Sequence, residues 1–229
     1  MKKKRMFIAG DSTACIYPHF GDDNRFPRTG WGQVLDRFLP EYTIVDLALS
    51  GRSSKSFKTE ENFRYLCNSI EPGDYLIIQF GHNDAKENDP TRYTSPNGEY
   101  QESLMEFVRL ARRCGAAPIL ATSISQNRPS DPSLEVYVDA VRRLAYTEAV
   151  PLIDMYRATN NYINKAGSYA SAQLFMNLEK HDKRFMNDLR YSGSEFYDKY
   201  TIDNTHLNIN GALFIAEFAA DMIHSILER

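Results

Sequence analysis

The chain alternates short apolar runs with longer segments of helical periodicity, and this alternation restricts its fold more than any other feature. The apolar runs have the length of buried strands and lie at residues 6–9, 42–49, 75–80, 118–122 and 150–154. Segments with apolar residues at helical spacing lie at residues 31–39, 60–70, 100–114, 134–147 and 210–227. Because parallel strands need a crossover, this order predicts βαβ units and an α/β fold with helices on both faces of a parallel sheet. Pro151 cannot donate to an inner ladder, which places the fifth strand at an edge.

The domain organisation follows from the length and from the absence of repeats. No internal repeat or low-complexity linker interrupts the 229 residues, so we predict one domain over residues 1–229. The segment at about residues 167–200 does not fit the alternation, and we interpret it as an insertion-like excursion with a short helix at residues 172–185. Loops of this length in compact domains tend to be lids or binding loops.

Charge and cysteine content argue against several classes of protein. The 27 basic and 30 acidic residues leave a net charge of −3, which argues against a nucleic-acid-binding surface. Three cysteines with no Cys-x-x-Cys pair suit a reducing compartment. No run approaches a transmembrane length, and the apolar stretch at residues 6–9 is too short for an export signal. We therefore expect a protein that binds neither nucleic acid nor membranes and is cytoplasmic, or secreted if a leader has been removed from the chain.

Polar residues that suit acyl transfer follow the predicted strands or precede the last helix. Ser12 follows the first strand, Gly51 the second and Asn83 the third. Because ligands bind at the carboxyl ends of strands in open α/β sheets, these positions are expected to share one edge. Asp203 stands three residues before His206, so that a loop can fold its carboxylate onto the imidazole. Together these residues supply a nucleophile, a base, a group that orients the base, and donors for an oxyanion.

Each of these residues also has an ordinary structural explanation. Ser12 suits a turn or a helix cap, and Gly51 suits a plain turn. Asn83 and Asp203 can brace their loops through backbone hydrogen bonds, and a single histidine such as His206 is more often a surface residue. Their joint occurrence at loops of one edge favours catalysis over five separate structural roles. The competing serines of the second loop, none with a base of its own, are Ser53, Ser54 and Ser56.

Motifs of other enzyme classes are missing from the sequence. The chain has no Gly-x-Ser-x-Gly nucleophile elbow and no Gly-Lys-Ser/Thr phosphate-binding loop. It also has no complete dinucleotide-binding fingerprint and no His-Glu-x-x-His zinc motif. The sequence therefore gives little support to phosphate transfer, to dinucleotide-dependent reactions or to zinc-dependent hydrolysis.

The motifs resemble, in chain order, the four signature blocks of the SGNH (GDSL-like) hydrolase superfamily. These blocks are Gly10-Asp11-Ser12, Gly51, Gly81-His82-Asn83-Asp84 and Asp203-x-x-His206. The stretches at residues 10–13, 30–31, 51–57, 79–84 and 203–206 more narrowly resemble rhamnogalacturonan acetylesterases. The likeness covers about residues 6–157 and 201–227, whereas residues 167–200 depart from the pattern. Lys55 stands where the family often has Arg, which keeps the charge without the bidentate geometry.

This resemblance implies a three-layer α/β/α, flavodoxin-like fold with a triad of Ser12, His206 and Asp203. It also implies an oxyanion hole made of the backbone amides of Ser12 and Gly51 and the side chain of Asn83, with no metal ion and no cofactor. The implied activity is that of a carbohydrate O-acetylesterase. Its partner would be an acetylated plant cell-wall polysaccharide or oligosaccharide, above all rhamnogalacturonan.

Four further residues at this edge are candidate substrate-binding residues. Arg52, Lys55 and Arg28 would complement the carboxylates of uronate residues, and a solvated loop surface is the alternative for all three. His82 is the fourth, and its alternative is loop scaffolding, the role that we also assign to Asp84. For the whole protein, the alternatives are a xylan acetylesterase or another short-chain esterase or lipase of the same fold. A sugar-binding module without catalysis is the alternative outside the enzymes.

Overall fold

The computed structural model describes residues 3–17, 28–128, 131–176 and 203–228. Within these ranges one parallel sheet has five strands, in the order β2-β1-β3-β4-β5. The strands are β1 (Arg5–Gly10), β2 (Thr43–Asp46), β3 (Tyr75–Gln79), β4 (Ala117–Ala121) and β5 (Leu152–Ile153). This is the flavodoxin-like strand order, and the predicted α/β fold is confirmed.

Four of the α-helices in the described part lie where the periodicity predicts them. The α-helices are α1 (Glu61–Ser69), α2 (Glu99–Arg113), α3 (Pro132–Thr147), α4 (Met155–Ala172) and α5 (Ile209–Leu227). The four that the periodicity predicts are α1, α2, α3 and α5. Two 3₁₀ helices, Gly32–Arg37 and Ser56–Thr59, accompany them. The first of these replaces the helix predicted at residues 31–39. The second and fifth strands are also shorter than predicted.

Helix α4 is not predicted by the sequence, because it lacks a continuous apolar stripe and contains a kink at Gly167, where φ is +77°. A capping signal does mark its start, since the Asp154 side chain accepts a hydrogen bond from the Arg157 amide at 3.1 Å. The helix predicted at residues 172–185 is wrong over residues 173–176, which form a turn with an antiparallel bridge from Phe175 to Leu207. The rest of that helix and of the excursion, from residue 177, lies outside the described residues.

Successive side chains of each strand face opposite sides of the sheet, and each side packs against its own helices. In β1, Met6 and Ile8 pack with α4, α5 and the first 3₁₀ helix. Phe7 and Ala9 pack with α1, α2 and α3 on the other side. All four side chains are fully buried. This gives the three-layer α/β/α arrangement that the resemblance implies.

Helix α5 is a core helix, although its length and apolar composition also meet the requirements of a membrane span. The expectation that no run approaches a transmembrane length is therefore wrong for residues 209–227, by length and composition. One face of α5 packs in the core beneath the sheet, through Ala212, Ile215, Ala216, Ala219 and Ile223. Other apolar side chains of α5, among them Leu213, Phe214 and Phe218, are partly buried and pack against the same core.

The start of α5 packs against the turn at residues 173–176 that follows α4. A Cβ atom added to Gly211 would lie 2.0 Å from the Leu174 carbonyl oxygen, so the two backbones approach more closely than any other residue type allows. Asn208 caps α5 and donates from Nδ2 to the carbonyls of Gln173 and Phe175, at 2.8 and 3.0 Å. These contacts fix the chain segment that leads into the helix.

Gly211→Ala should lower the free energy of unfolding by about 1–3 kcal/mol, because a methyl group there collides with backbone that cannot swing away. Urea unfolding at neutral pH measures this difference. Ser225→Ala is the matched control on the exposed side of the same helix, and it should change the free energy by less than about 0.5 kcal/mol. Equal stability of Gly211→Ala and the wild type would contradict the close approach.

Candidate active site

Ser12 lies in the tight turn that follows β1. The backbone carbonyl of Asp11 accepts from the Cys15 amide at 3.1 Å, and its Oδ1 accepts from the Thr13 amide at 2.9 Å. The Thr13 hydroxyl also contacts Asp11 Oδ1 and Gln79 Oε1, at 2.8 and 3.0 Å. The turn thus holds a nearly buried Ser12 at the carboxyl edge of the sheet.

Ser12, His206 and Asp203 form a continuous line of hydrogen-bonding groups. Ser12 Oγ lies 3.0 Å from His206 Nε2, although 194 residues separate the two in the chain. His206 Nδ1 lies 2.8 Å from Asp203 Oδ2. When Nδ1 donates its proton to the carboxylate, Nε2 is left to accept from the serine hydroxyl. This is the tautomer that a general base needs.

The groups around Asp203 keep its carboxyl ionised. Oδ1 accepts from the backbone amides of Thr205 and His206, each at 3.0 Å. Burial alone would raise the pKa of Asp203, but hydrogen bonds from the His206 side chain and from these amides outweigh burial and lower the pKa to about 2. Asp203 is therefore an anion at neutral pH and orients the imidazole.

Backbone hydrogen bonds fasten the segment at residues 203–208 to three distant parts of the chain. They join the Met176 amide to the His206 carbonyl at 2.8 Å, the Thr29 amide to the Leu207 carbonyl at 3.1 Å, and the Asn127 amide to the Asn204 carbonyl at 2.8 Å. The imidazole is consequently placed from several sides and does not depend on its own loop alone.

The structure brings Gly51 and Asn83 to the edge that carries the serine. Gly51 occupies the left-handed region, with φ of +76°, in the turn after β2. The Leu49 amide donates to the Gly10 carbonyl at 3.0 Å, which holds this turn against the one after β1. Asn83 Nδ2 donates to the Arg52 carbonyl at 3.0 Å and so ties the loop after β3 to the same turn.

The buried Asp84 side chain links the loop after β3, on which it lies, to the loop after β2. Its carboxylate accepts from the amide and hydroxyl of Ser54, and from the Thr94 hydroxyl. Burial raises the pKa of Asp84 to about 6, against these hydrogen bonds, which lower it. Tyr137 extends the brace, since its hydroxyl donates to the Thr94 carbonyl at 2.6 Å. These contacts support the scaffolding interpretation of Asp84.

The three cations predicted to bind substrate each contact another group of the chain. The contacts are Arg28 Nη2 to Asp203 Oδ2 at 3.4 Å, Arg52 Nε to Glu60 Oε1 at 2.5 Å, and Lys55 Nζ to the Pro90 carbonyl at 3.2 Å. A uronate carboxylate would therefore share each cation with a partner in the protein, and a role in substrate binding stays a prediction for all three.

Both ring nitrogens of His82 are buried, and neither makes a hydrogen bond within the described residues. Burial lowers the pKa of His82, against the field of the Asp11 carboxylate, which raises it. Since no hydrogen bond from the His82 ring braces its loop among the described residues, both of its candidate roles, substrate binding and loop scaffolding, stay predictions.

Arg92 also belongs to this edge, although no motif in the sequence points to it. Its Nη1 lies 3.4 Å from Asn83 Oδ1. A cleft of about 730 Å³ opens beside it, lined by residues 85–90 together with Arg92 and Ser133. The loop has no periodic pattern, and the available signal was the position of Arg92 nine residues beyond Asn83 on the same loop.

The part of the chain that the structure describes contains neither a metal-binding cluster nor a disulfide bond. No group of three or more His, Cys, Asp or Glu side chains there is placed to hold a metal ion. Cys15, Cys67 and Cys114 are free, and burial raises the pKa of the Cys15 thiol to about 12.

The chain belongs to the GDSL-like lipase/acylhydrolase family, whose profile it matches over residues 8–182. Its class is therefore that of the serine carboxylic ester hydrolases. The arrangement of Ser12, His206 and Asp203 supplies the three groups that this class requires.

Two relatives from Bacillus subtilis are similar over most of the chain. The probable rhamnogalacturonan acetylesterase YesY is 35% identical over 176 residues, which cover 75% of this chain and 79% of that protein. The rhamnogalacturonan acetylesterase RhgT is 34% identical over 233 residues, which cover 99% of this chain and 92% of that protein.

Solved structures share the fold at lower identity. YxiM from Bacillus subtilis superposes with a TM-score of 0.73 at 21% identity, over 98% of this chain and 57% of that one. The present chain thus spans little more than half of the YxiM structure. Axe2, an acetylxylan esterase from Geobacillus stearothermophilus, superposes with a TM-score of 0.62 at 16% identity, over 96% of this chain and 94% of that one.

Asp203→Asn should reduce kcat strongly, by up to about 10⁴-fold, because a neutral amide neither stabilises the imidazolium nor selects the required tautomer. It should also remove about 2 kcal/mol of stability at neutral pH, since the folded pKa of Asp203 is about 2 and the ordinary value is 3.8. A lowered folded pKa stabilises the protein above the ordinary pKa, and this stability is lost as pH falls from 3.8 towards 2. Ester hydrolysis and urea unfolding, at neutral pH and at about pH 3, measure the two effects.

The control for Asp203→Asn is Asp221→Asn, which neutralises an exposed carboxylate on α5 and should leave activity and stability unchanged. A stability difference between Asp203→Asn and the wild type that stayed constant down to about pH 3 would contradict the lowered pKa. An unchanged kcat would make Asp203 a structural loop residue.

Proposed function

We propose that the protein is a carbohydrate O-acetylesterase in which Ser12 is the nucleophile, His206 the general base and Asp203 the group that orients the base. The observation that carries this proposal is the continuous line of contacts from Asp203 Oδ2 through the imidazole to Ser12 Oγ, at 2.8 and 3.0 Å. Both distances lie within hydrogen-bond reach before any substrate is bound.

In the first half of the reaction, Ser12 Oγ attacks the carbonyl carbon of the acetyl ester while His206 Nε2 takes the hydroxyl proton. The electron pair of the carbonyl moves onto its oxygen. The backbone amides of Ser12 and Gly51 and the Nδ2 group of Asn83 are the donors proposed to stabilise this oxyanion. The intermediate then collapses, the bond to the sugar oxygen breaks, and His206 returns its proton to the departing hydroxyl.

In the second half, water replaces the sugar. His206 removes a proton from the water as it attacks the acetyl group on Ser12, a second tetrahedral oxyanion forms among the same donors, and acetate leaves as Ser12 regains its proton. The Asp203 carboxylate stabilises the imidazolium in both halves. All of these steps use side chains and backbone of this chain together with water.

The substrate that we propose is acetylated rhamnogalacturonan or its oligosaccharides. The support comes from the names of YesY and RhgT, at 35% and 34% identity, the second over 99% of this chain. The site itself adds three cations, since Arg28 contacts Asp203, and both Arg52 and Lys55 follow β2 at the edge of the sheet. Galacturonate residues carry the carboxylates that such cations attract.

Ser12→Ala should lower kcat on p-nitrophenyl acetate by about 10³-fold or more, because only binding and the oxyanion donors remain. Its thermal unfolding should match that of the wild type. Ser56→Ala is the control, since Ser56 begins the 3₁₀ helix that follows β2 and its hydroxyl bonds only with Ser53 among the described contacts. A Ser12→Ala enzyme that kept a tenth of the wild-type kcat would refute the assignment.

The substrate class is tested by kcat/KM for release of acetate from acetylated rhamnogalacturonan oligosaccharides and acetylated xylo-oligosaccharides, and by hydrolysis of p-nitrophenyl acetate against octanoate. We expect the highest values for rhamnogalacturonan and for acetate. Faster release from xylan would indicate a xylan acetylesterase, and faster hydrolysis of octanoate a lipase. Oligosaccharide binding without turnover by the intact triad would indicate a sugar-binding module.

A further inference from the structure

Arg92 lies beside two of the three oxyanion donors of the proposed function, although no step of the reaction requires it. Its Nη1 is 3.4 Å from Asn83 Oδ1. The same nitrogen would lie 4.0 Å from a Cβ atom on Gly51. The side chain is 29% exposed, so the guanidinium stands at the border between the site and solvent.

The carboxamide of Asn83 is held from both sides. Its Nδ2 has two protons and donates one of them to the Arg52 carbonyl at 3.0 Å, which leaves the second free for an oxyanion. Its Oδ1 faces the Arg92 guanidinium. A rotated amide would place Oδ1 against the Arg52 carbonyl and the NH₂ group against a cation. Both contacts therefore select the same orientation of the amide.

Arg92 is itself fixed by its loop. Its Nε contacts Asp89 Oδ2 at 2.5 Å, and Asp89 Oδ1 also accepts from the amide and hydroxyl of Thr91. Lys55 Nζ donates to the Pro90 carbonyl at 3.2 Å, which joins this loop to the one after β2. The hydrogen bonds of Asp89 thus hold the turn at residues 89–92 and position the Arg92 guanidinium next to Asn83.

We propose that Arg92 is a positioning residue that orients the Asn83 carboxamide towards the oxyanion. This proposal rests on the proposed function, since it presumes that Asn83 is an oxyanion donor. An oriented donor strengthens binding of the transition state more than binding of the ester, so the contribution of Arg92 should appear in kcat and not in KM.

The test compares kcat and KM for p-nitrophenyl acetate in Arg92→Ala, Asn83→Ala and the double variant. Loss of one oxyanion donor costs about 10² to 10³ in kcat, so loss of its orientation in Arg92→Ala should cost about tenfold or more with KM within about twofold. Because Arg92 acts through Asn83, the double variant should be no more than about twofold slower than Asn83→Ala. Millimolar guanidinium ion should raise kcat of Arg92→Ala and leave the double variant unchanged.

Two further variants distinguish a loss of the Arg92 contact from a general loss of folded protein. Arg92→Lys retains the charge but cannot contact Asp89 and Asn83 together, so its kcat should fall between those of Arg92→Ala and the wild type. Arg64→Ala is the matched control, because Arg64 also pairs with an acidic residue three positions earlier, Glu61, on the exposed surface of α1. Its kcat and KM should equal those of the wild type.

Three results would overturn the proposal: an unchanged kcat in Arg92→Ala, a raised KM at constant kcat, or fully additive losses in the double variant. The second of these would make Arg92 a substrate-binding residue. Failure of the proposed function is distinguishable, because it would show as retained activity in Ser12→Ala whatever the behaviour of Arg92.

Discussion

The parallel pairing of β1 with β2 on one side and β3 on the other is the constraint on which the site depends. Gly10 stands opposite Gln79, and Ile8 opposite Asp46, so the three strands end at one edge. The turn with the serine, the turn with Gly51 and the loop with Asn83 then leave the sheet side by side. Because both faces of β1 and β3 are buried under helices, a register shift between them would disturb the core as well as the site.

The imidazole reaches this edge from the far end of the chain, and its placement needs tertiary structure. His206 is 194 residues from Ser12, and backbone hydrogen bonds from Met176, Thr29 and Asn127 hold its segment. The cap of α5 and the close approach of Gly211 to Leu174 set where the segment ends. The proposed chemistry therefore depends on contacts between α5 and the turn after α4, and this turn lies outside the signature motifs.

These two kinds of constraint decide how much can be predicted from the sequence. The strands, four of the helices and the residues that meet at the edge follow from local apolar patterns and short motifs, because those depend on neighbours in the chain. Helix α4 is not predicted because its sequence lacks a continuous apolar stripe and Gly167 interrupts the helix. The contacts of Arg52, Lys55 and Arg92 cannot be predicted from the sequence for another reason. Whether a loop cation meets a carboxylate, a carbonyl or an amide depends on how two loops pack, and no local pattern records that.

The most direct test of the account is covalent labelling of the nucleophile with a p-nitrophenyl phosphonate, followed by mass spectrometry of the peptides. We expect a single phosphonyl group on Ser12 of the native protein, and much slower labelling in His206→Ala, because the hydroxyl loses the base that takes its proton. The label on Ser53, Ser54 or Ser56, or equally fast labelling of Ser12 in His206→Ala, would contradict the account.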